Sequence, residues 1–144
     1  MKVLWVEDHQ PVRDMLAIAA DKAARSRIQV DLVMATTLME AERRLRLERF
    51  DLVVLDLVLP DSHDGEMTIA RTANMGNFRI AVVSGAENRE AVVADAVKYG
   101  CNICPNVVTK ASLPFNRFIQ RPETFEDFLL DLMPERETSG TRAA

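Results

Sequence analysis

The sequence predicts a doubly wound α/β domain built around a parallel sheet. Short, nearly continuous apolar runs rich in β-branched residues alternate with segments of helical periodicity. Runs of this kind suit strands that are covered on both faces, as in a parallel sheet. Repeated alternation of strand and helix is typical of α/β domains with helices on both faces of the sheet.

Five apolar runs are the candidate strands. The second is the weakest, because Asp31 interrupts it, and the fifth is short. The predicted strands cover residues 3–6, 30–35, 52–55, 80–83 and 107–109.

Four segments have the apolar spacing of amphipathic helices. Thr37 and Glu40 form a capping-box pattern at the start of the second. Gly100 can end the third, and Thr124 can cap the last. The apolar positions are Val12, Met15, Leu16 and Ala19; Leu38, Ala41 and Leu45; Val92, Val93, Ala96 and Val97; and Phe125, Phe128, Leu129 and Leu132.

Length and charge limit the kind of protein this is. A chain of 144 residues fits one domain, predicted to cover 1–134 and to be followed by a polar, disordered tail at 135–144. The net charge of −4 argues against a nucleic-acid partner, which would need a basic face. No apolar run has the length of a membrane span or a secretory signal, so we expect a cytoplasmic protein.

Polar side chains follow four of the five predicted strands. Glu7 and Asp8 follow the first, Asp56 the third, Ser84 the fourth and Lys110 the fifth. In a parallel sheet these ends lie along one edge, where ligands bind. Crowded carboxylates repel one another unless a cation neutralises them, and Mg²⁺ prefers such oxygen ligands. A carboxylate can also act as a nucleophile and form an aspartyl phosphate.

These residues lie in segments that resemble the receiver domain of response regulators in two-component signalling. The matching stretches are VEDH at 6–9, DLVVLDLVLP at 51–60, VVSGA at 82–86, and Lys110 after an apolar strand. The resemblance implies a flavodoxin-like strand order of 2-1-3-4-5.

The resemblance also implies a role for each residue at the strand ends. Asp56 would be the phosphoacceptor, with Lys110 bridging to the phosphoryl group and Ser84 hydrogen-bonding to it. Asp8, Asp56 and the backbone carbonyl of Val58 would bind Mg²⁺ directly. Glu7 would act mainly through metal-bound water.

Several positions depart from the family pattern. The loop after Asp56 is one residue longer than usual, Ala111 stands where the family has a proline, and Val107 replaces a switch aromatic. Residues 112–122 form an apolar insert, which either folds back onto the core or offers a surface to a partner or a homodimer.

The resemblance implies a signalling domain, not an enzyme acting on other molecules. A histidine kinase or histidine phosphotransfer protein would supply the phosphoryl group, and an unidentified protein would receive the signal. Because no helix-turn-helix follows the last helix, we expect a stand-alone regulator. The alternatives are a non-phosphorylated pseudo-receiver, an aspartyl-phosphate phosphohydrolase, which Val58 disfavours, and a thiol redox module using Cys101 and Cys104.

Overall fold

A computed structural model describes residues 1–134, and the predicted tail lies outside them. The strands are β1 (Lys2–Val6), β2 (Asp31–Ala35), β3 (Leu52–Leu55), β4 (Arg79–Ser84) and β5 (Val108–Thr109). The helices are α1 (Gln10–Arg25), α2 (Leu38–Leu47), α3 (Gly65–Ala73), α4 (Arg89–Lys98), α5 (Phe115–Gln120) and α6 (Glu123–Asp131). The strands form one parallel sheet of order β2-β1-β3-β4-β5, which confirms the predicted fold class.

Two apolar cores cover the two faces of the sheet. Successive side chains of a strand point to opposite faces, so Leu4 and Val6 enter one core while Val3 and Trp5 enter the other. Helices α2, α3 and α4 close the first core, and α1, α5 and α6 close the second. No helix within 1–134 is long and apolar enough to cross a membrane.

The strand registers bring the carboxyl ends of the strands to one edge. Leu55 pairs with both Val6 and Val82, and Ser84 pairs with Thr109. The residues that follow β1, β3 and β5 therefore lie close to the end of β4.

The segment before β5 is interrupted. Ile103 forms a parallel bridge with Ile80, whereas β5 begins only at Val108. Pro105 lies between them and has no N–H to donate to a ladder. Cys101 packs against one core and Cys104 is buried in the other, and both are free thiols. Their packing against different cores disfavours a joint redox site.

The insert folds back onto the core, which is the plainer of its two interpretations. Its helix, α5, buries Phe118 to 1% exposure. The Phe118 ring centroid lies 5.1 Å from that of Phe125 and 5.3 Å from that of Phe128. The predicted cap at Thr124 is wrong: this residue lies inside α6, and its hydroxyl donates to the carbonyl oxygens of Arg117 and Arg121.

The loop between β3 and α3 is folded as a tight turn. Leu59 and Ser62 exchange two backbone hydrogen bonds. Asp61, at the tip of this turn, accepts hydrogen bonds from the N–H groups of Leu38 and Met39 at 2.8 and 2.9 Å. The turn accommodates the extra residue of this loop, and Asp61 links the loop to the start of α2.

We expect Asp61→Ala to destabilise the fold by about 1 kcal/mol at neutral pH, because two N–H groups of α2 lose their acceptor. Burial alone would raise the pKa of Asp61, but these hydrogen bonds hold it below its ordinary value of 3.8. A group with a lowered pKa stabilises the fold above that value and less below it. The difference from the unmutated protein should therefore shrink as pH falls below 3.8.

Urea unfolding at a series of pH values measures this effect. The matched control is His63→Ala, which removes an exposed side chain from the same loop. A difference that stays constant down to about pH 3 would contradict the role given to the Asp61 carboxylate.

Candidate functional site

Asp56 occupies the centre of the predicted edge. It directly follows β3 and is only 3% exposed. Its Oδ1 accepts hydrogen bonds from the Ser84 hydroxyl at 2.7 Å and from the Val58 N–H at 3.2 Å. Its Oδ2 lies 2.6 Å from the Lys110 Nζ. Both carboxylate oxygens are thus fixed in place by donors.

Lys110 bridges two carboxylates. It opens a 3₁₀ turn (Lys110–Ser112) directly after β5, and its Nζ also lies 2.9 Å from the Glu7 Oε2. Burial works to lower the pKa of Lys110, but the hydrogen bonds to Asp56 and Glu7 outweigh it and raise the pKa. The side chain therefore carries its charge at neutral pH. All peptide bonds within 1–134 are trans, including the one between Lys110 and Ala111. Lys110 therefore reaches the site through a trans peptide bond, without the proline that the family usually has after it.

Glu7 is fully buried beside this pair. Its Oε2 accepts from Lys110 and from the His9 N–H at 2.9 Å, whereas its Oε1 has no hydrogen-bond partner. Burial is the main reason that the pKa of Glu7 is raised, and the two donors only partly offset it. A buried carboxylate oxygen without a partner is costly unless another group binds it.

The acidic residues fit a divalent metal ion. One carboxylate oxygen from each of Glu7, Asp8 and Asp56 can be chosen so that the three lie within 4.8 Å of one another. Asp8 is exposed at the mouth of the site, while the other two are buried. Three carboxylates face one ammonium group, so negative charge remains in excess. Together with the unpartnered Glu7 Oε1, this donor set suits a hard cation such as Mg²⁺.

Ser84 connects two of the loops at this edge. It is fully buried, and its Oγ accepts from the N–H groups of Leu57 at 3.4 Å and Ala86 at 3.2 Å while donating to Asp56. The N–H groups of Leu57 and His9 could not be predicted as part of the site, because backbone donors leave no mark on residue identity. Val107, at the place of the family's switch aromatic, packs against the first core.

A model described as the response regulator receiver domain matches residues 3–112. The chain belongs to the response-regulator receiver family. Receivers are signalling domains of two-component systems that interact with histidine kinases or phosphotransfer proteins. No curated protein matches the chain in sequence.

Solved structures show the same receiver fold at low identity. A CheY-like receiver protein from Methanospirillum hungatei has a TM-score of 0.62 at 17% identity, covering 88% of this chain and 94% of its own. The BeF₃-activated receiver domain of Klebsiella pneumoniae RstA has 0.62 at 21%, covering 93% and 100%. Thermotoga maritima TrrA in complex with Mg²⁺-BeF has 0.59 at 17%, covering 85% and 96%.

In this receiver, removing the ammonium group should expose the repulsion between Glu7 and Asp56. We expect Lys110→Met to lower the free energy of unfolding by about 1–3 kcal/mol, because two buried carboxylates lose their shared donor. Mg²⁺ should stabilise this variant more than the unmutated receiver, since no ammonium group competes for the same oxygens.

Urea unfolding with and without Mg²⁺ measures both effects. The control is Lys98→Met, because Lys98 is an exposed lysine with no side-chain contact to the site. Equal stabilisation of Lys110→Met and the unmutated receiver by Mg²⁺ would contradict the competition between Lys110 and the cation.

Proposed function

We propose that Asp56 accepts a phosphoryl group from a phosphohistidine on a histidine kinase or histidine phosphotransfer protein. The observation that carries the proposal is the buried Asp56 carboxylate held by Ser84 and Lys110 beside Glu7 and Asp8. A structural capping role would not need an ammonium group and two more carboxylates around the same side chain. We further propose that residues 1–134 are the receiver unit and that it acts in the cytoplasm with its phosphodonor.

Mg²⁺ is the proposed cofactor, and its fit to the acidic set supports this. Asp8, Asp56 and the backbone carbonyl of Val58 would hold it, with Glu7 acting through metal-bound water. When bound, the ion would neutralise negative charge on phosphate oxygens. The structure of the Thermotoga protein in complex with Mg²⁺-BeF supports the same assignment here.

Asp56, Lys110 and Ser84 each have a different role in the proposed phosphoryl transfer. A carboxylate oxygen of Asp56 attacks phosphorus, and the phosphorus–nitrogen bond breaks with its electron pair returning to the imidazole of the donor. The Lys110 ammonium group neutralises charge on the phosphoryl oxygens, and Ser84 donates a hydrogen bond to one of them. Fixed donors of this kind need little reorganisation during the reaction.

The output would be a change in protein contacts. A phosphoryl group adds nearly two negative charges and three strong acceptor oxygens. These would draw Ser84 and the loops after β4 and β5 toward Asp56 and change the surface built from those loops. A pseudo-receiver that takes no phosphate is the second candidate, and Val107 favours it, because this position lacks an aromatic ring to report on Ser84.

One experiment separates these two functions. We expect Mg²⁺ with acetyl phosphate to add one phosphoryl mass to the intact protein, and Mg²⁺ with beryllofluoride to shift backbone amide resonances of Ser84, Ala86 and Lys110. Both responses should vanish in Asp56→Asn and persist in Asp64→Asn, which alters a loop carboxylate outside the site. A missing response in the folded, unmutated protein would support the pseudo-receiver.

The phosphoryl group should be long-lived. Val58, 44% exposed, and Ala86 flank the site and offer no polar side chain to orient an attacking water. We expect the phosphoryl group of the Val58→Gln variant to be hydrolysed several-fold faster than that of the unmutated protein. Intact mass, followed after removal of acetyl phosphate, measures the two rates. Val97→Gln is the matched control, because Val97 is also 44% exposed but lies on α4. A lifetime of seconds in the unmutated protein would contradict the role of these side chains.

A further inference from the structure

A groove of about 260 Å³ opens between α3 and α4. It shares no lining residue with the acidic site. Glu66, Ile69 and Ala70 line it from α3, and Val92, Asp95 and Ala96 line it from α4. The two triplets have the same spacing of i, i+3 and i+4, so each helix turns one such stripe toward the groove.

The floor of this α3–α4 groove is apolar. Ile69 and Val92 are buried at 2% and 5% exposure and form its base. Ala70 and Ala96 are small, which leaves space between the helices where larger side chains would have met. Small-molecule pockets usually measure roughly 300–1,000 Å³, so this groove suits a single large side chain better than a cofactor.

One end of the groove carries an exposed aromatic ring. Tyr99, which follows α4, is 81% exposed although it lines the groove. Tyrosine combines an apolar ring with a polar hydroxyl and is enriched at protein interfaces. Cys101 lies beside it, half-buried and free.

The rim is acidic. Glu66 and Asp95 are exposed on opposite sides of the groove, and neither forms a salt bridge within the part of the chain that the structure describes. An apolar floor between two unpaired carboxylates is complementary to an apolar side chain flanked by cationic groups.

We propose that the α3–α4 groove is a docking site for a partner protein segment that inserts one large apolar side chain flanked by Lys or Arg. The apolar side chain fills the space above Ile69 and Val92, its basic neighbours pair with Glu66 and Asp95, and Tyr99 covers it. The proposal does not depend on phosphorylation of Asp56.

Cys101 allows the charge of the groove to be measured in the full chain, because the other thiol, Cys104, is 3% exposed and serves as an internal control. We expect the rate of modification by aminoethyl methanethiosulfonate, divided by the rate with the anionic sulfonatoethyl reagent, to be about fivefold larger for Cys101 than for free 2-mercaptoethanol, whose thiolate already favours the cationic reagent. The ratio should fall in Glu66→Gln/Asp95→Asn. It should persist in Asp127→Asn/Asp131→Asn, which removes two exposed carboxylates from α6 on the other face of the sheet.

Peptide protection then tests the occupant. We expect millimolar acetyl-Lys-Phe-Lys-amide to slow modification of Cys101 by N-ethylmaleimide several-fold, and acetyl-Glu-Phe-Glu-amide to have no effect. Ala70→Trp should abolish protection by filling the groove, and Ala70→Leu is the smaller replacement if the Trp variant fails to fold. Ala17→Trp, at an exposed alanine of α1, should retain it.

Four outcomes would overturn the proposal. The first is a cationic-to-anionic rate ratio at Cys101 no larger than that of free 2-mercaptoethanol. The second is equal protection by both peptides, and the third is protection that survives Ala70→Trp in a folded protein. The fourth is Cys101 reactivity that falls as protein concentration rises, because this would assign the groove to a second copy of the chain. Because Asp56 does not line the groove, Asp56→Asn should leave all these readouts unchanged, so failure here is distinguishable from failure of the phosphoacceptor proposal.

Discussion

The contact of one ammonium group with two buried carboxylates is the constraint around which this edge of the molecule is organised. Lys110 Nζ lies 2.9 Å from Glu7 and 2.6 Å from Asp56, residues that follow β1 and β3. Buried charges are costly unless they are paired and hydrogen-bonded. Lys110 is 103 residues along the chain from Glu7. The contact therefore requires the segment after β5 to bring the Lys110 side chain back to the middle of the sheet.

The parallel sheet supplies the precision that this contact needs. Glu7 and Asp56 directly follow the adjacent strands β1 and β3, and Ser84 ends the next strand, β4. Apolar cores on both faces hold these strands in register. Because Lys110 directly follows the short strand β5, the pairing of Val108 and Thr109 with β4 fixes its position even though Ala111 follows it. Lys110 is thus positioned by strand pairing in a chain without the proline.

Much of the fold and of the site could be predicted from the sequence, and the features that could not be predicted have physical reasons for being missed. Apolar runs predicted β1, β3 and β4 clearly because these strands are buried on both faces, and the ends of the predicted strands predicted the cluster at Asp56. Helix α3 was not singled out, because its buried positions include Thr68 and Thr72, whose hydroxyls donate to backbone carbonyls. The burial of Phe118 depends on the rings of Phe125 and Phe128 in α6, and the sequence of α5 alone does not predict this contact. The interruption before β5, by contrast, is marked in the sequence by Pro105, which has no N–H to donate to a ladder.

The hydrogen bonds around Ser84 indicate how a change at Asp56 would leave the site. The loop after Asp56 is braced, since the Leu59–Ser62 bridge closes it and Asp61 ties it to α2. The loop after Ser84 is held by the Ala86 N–H, 3.2 Å from the Ser84 Oγ, and by Arg89 at the start of α4, whose Nη1 donates to the Ala86 carbonyl oxygen at 2.8 Å. If Ser84 turned toward a phosphoryl group on Asp56, its hydrogen bonds from the Ala86 and Leu57 N–H groups would both have to rearrange, while the Leu59–Ser62 bridge and Asp61 kept the rest of the loop after Asp56 in place. The movement would therefore pass to Ala86 and the start of α4, without any contribution from an aromatic ring at position 107.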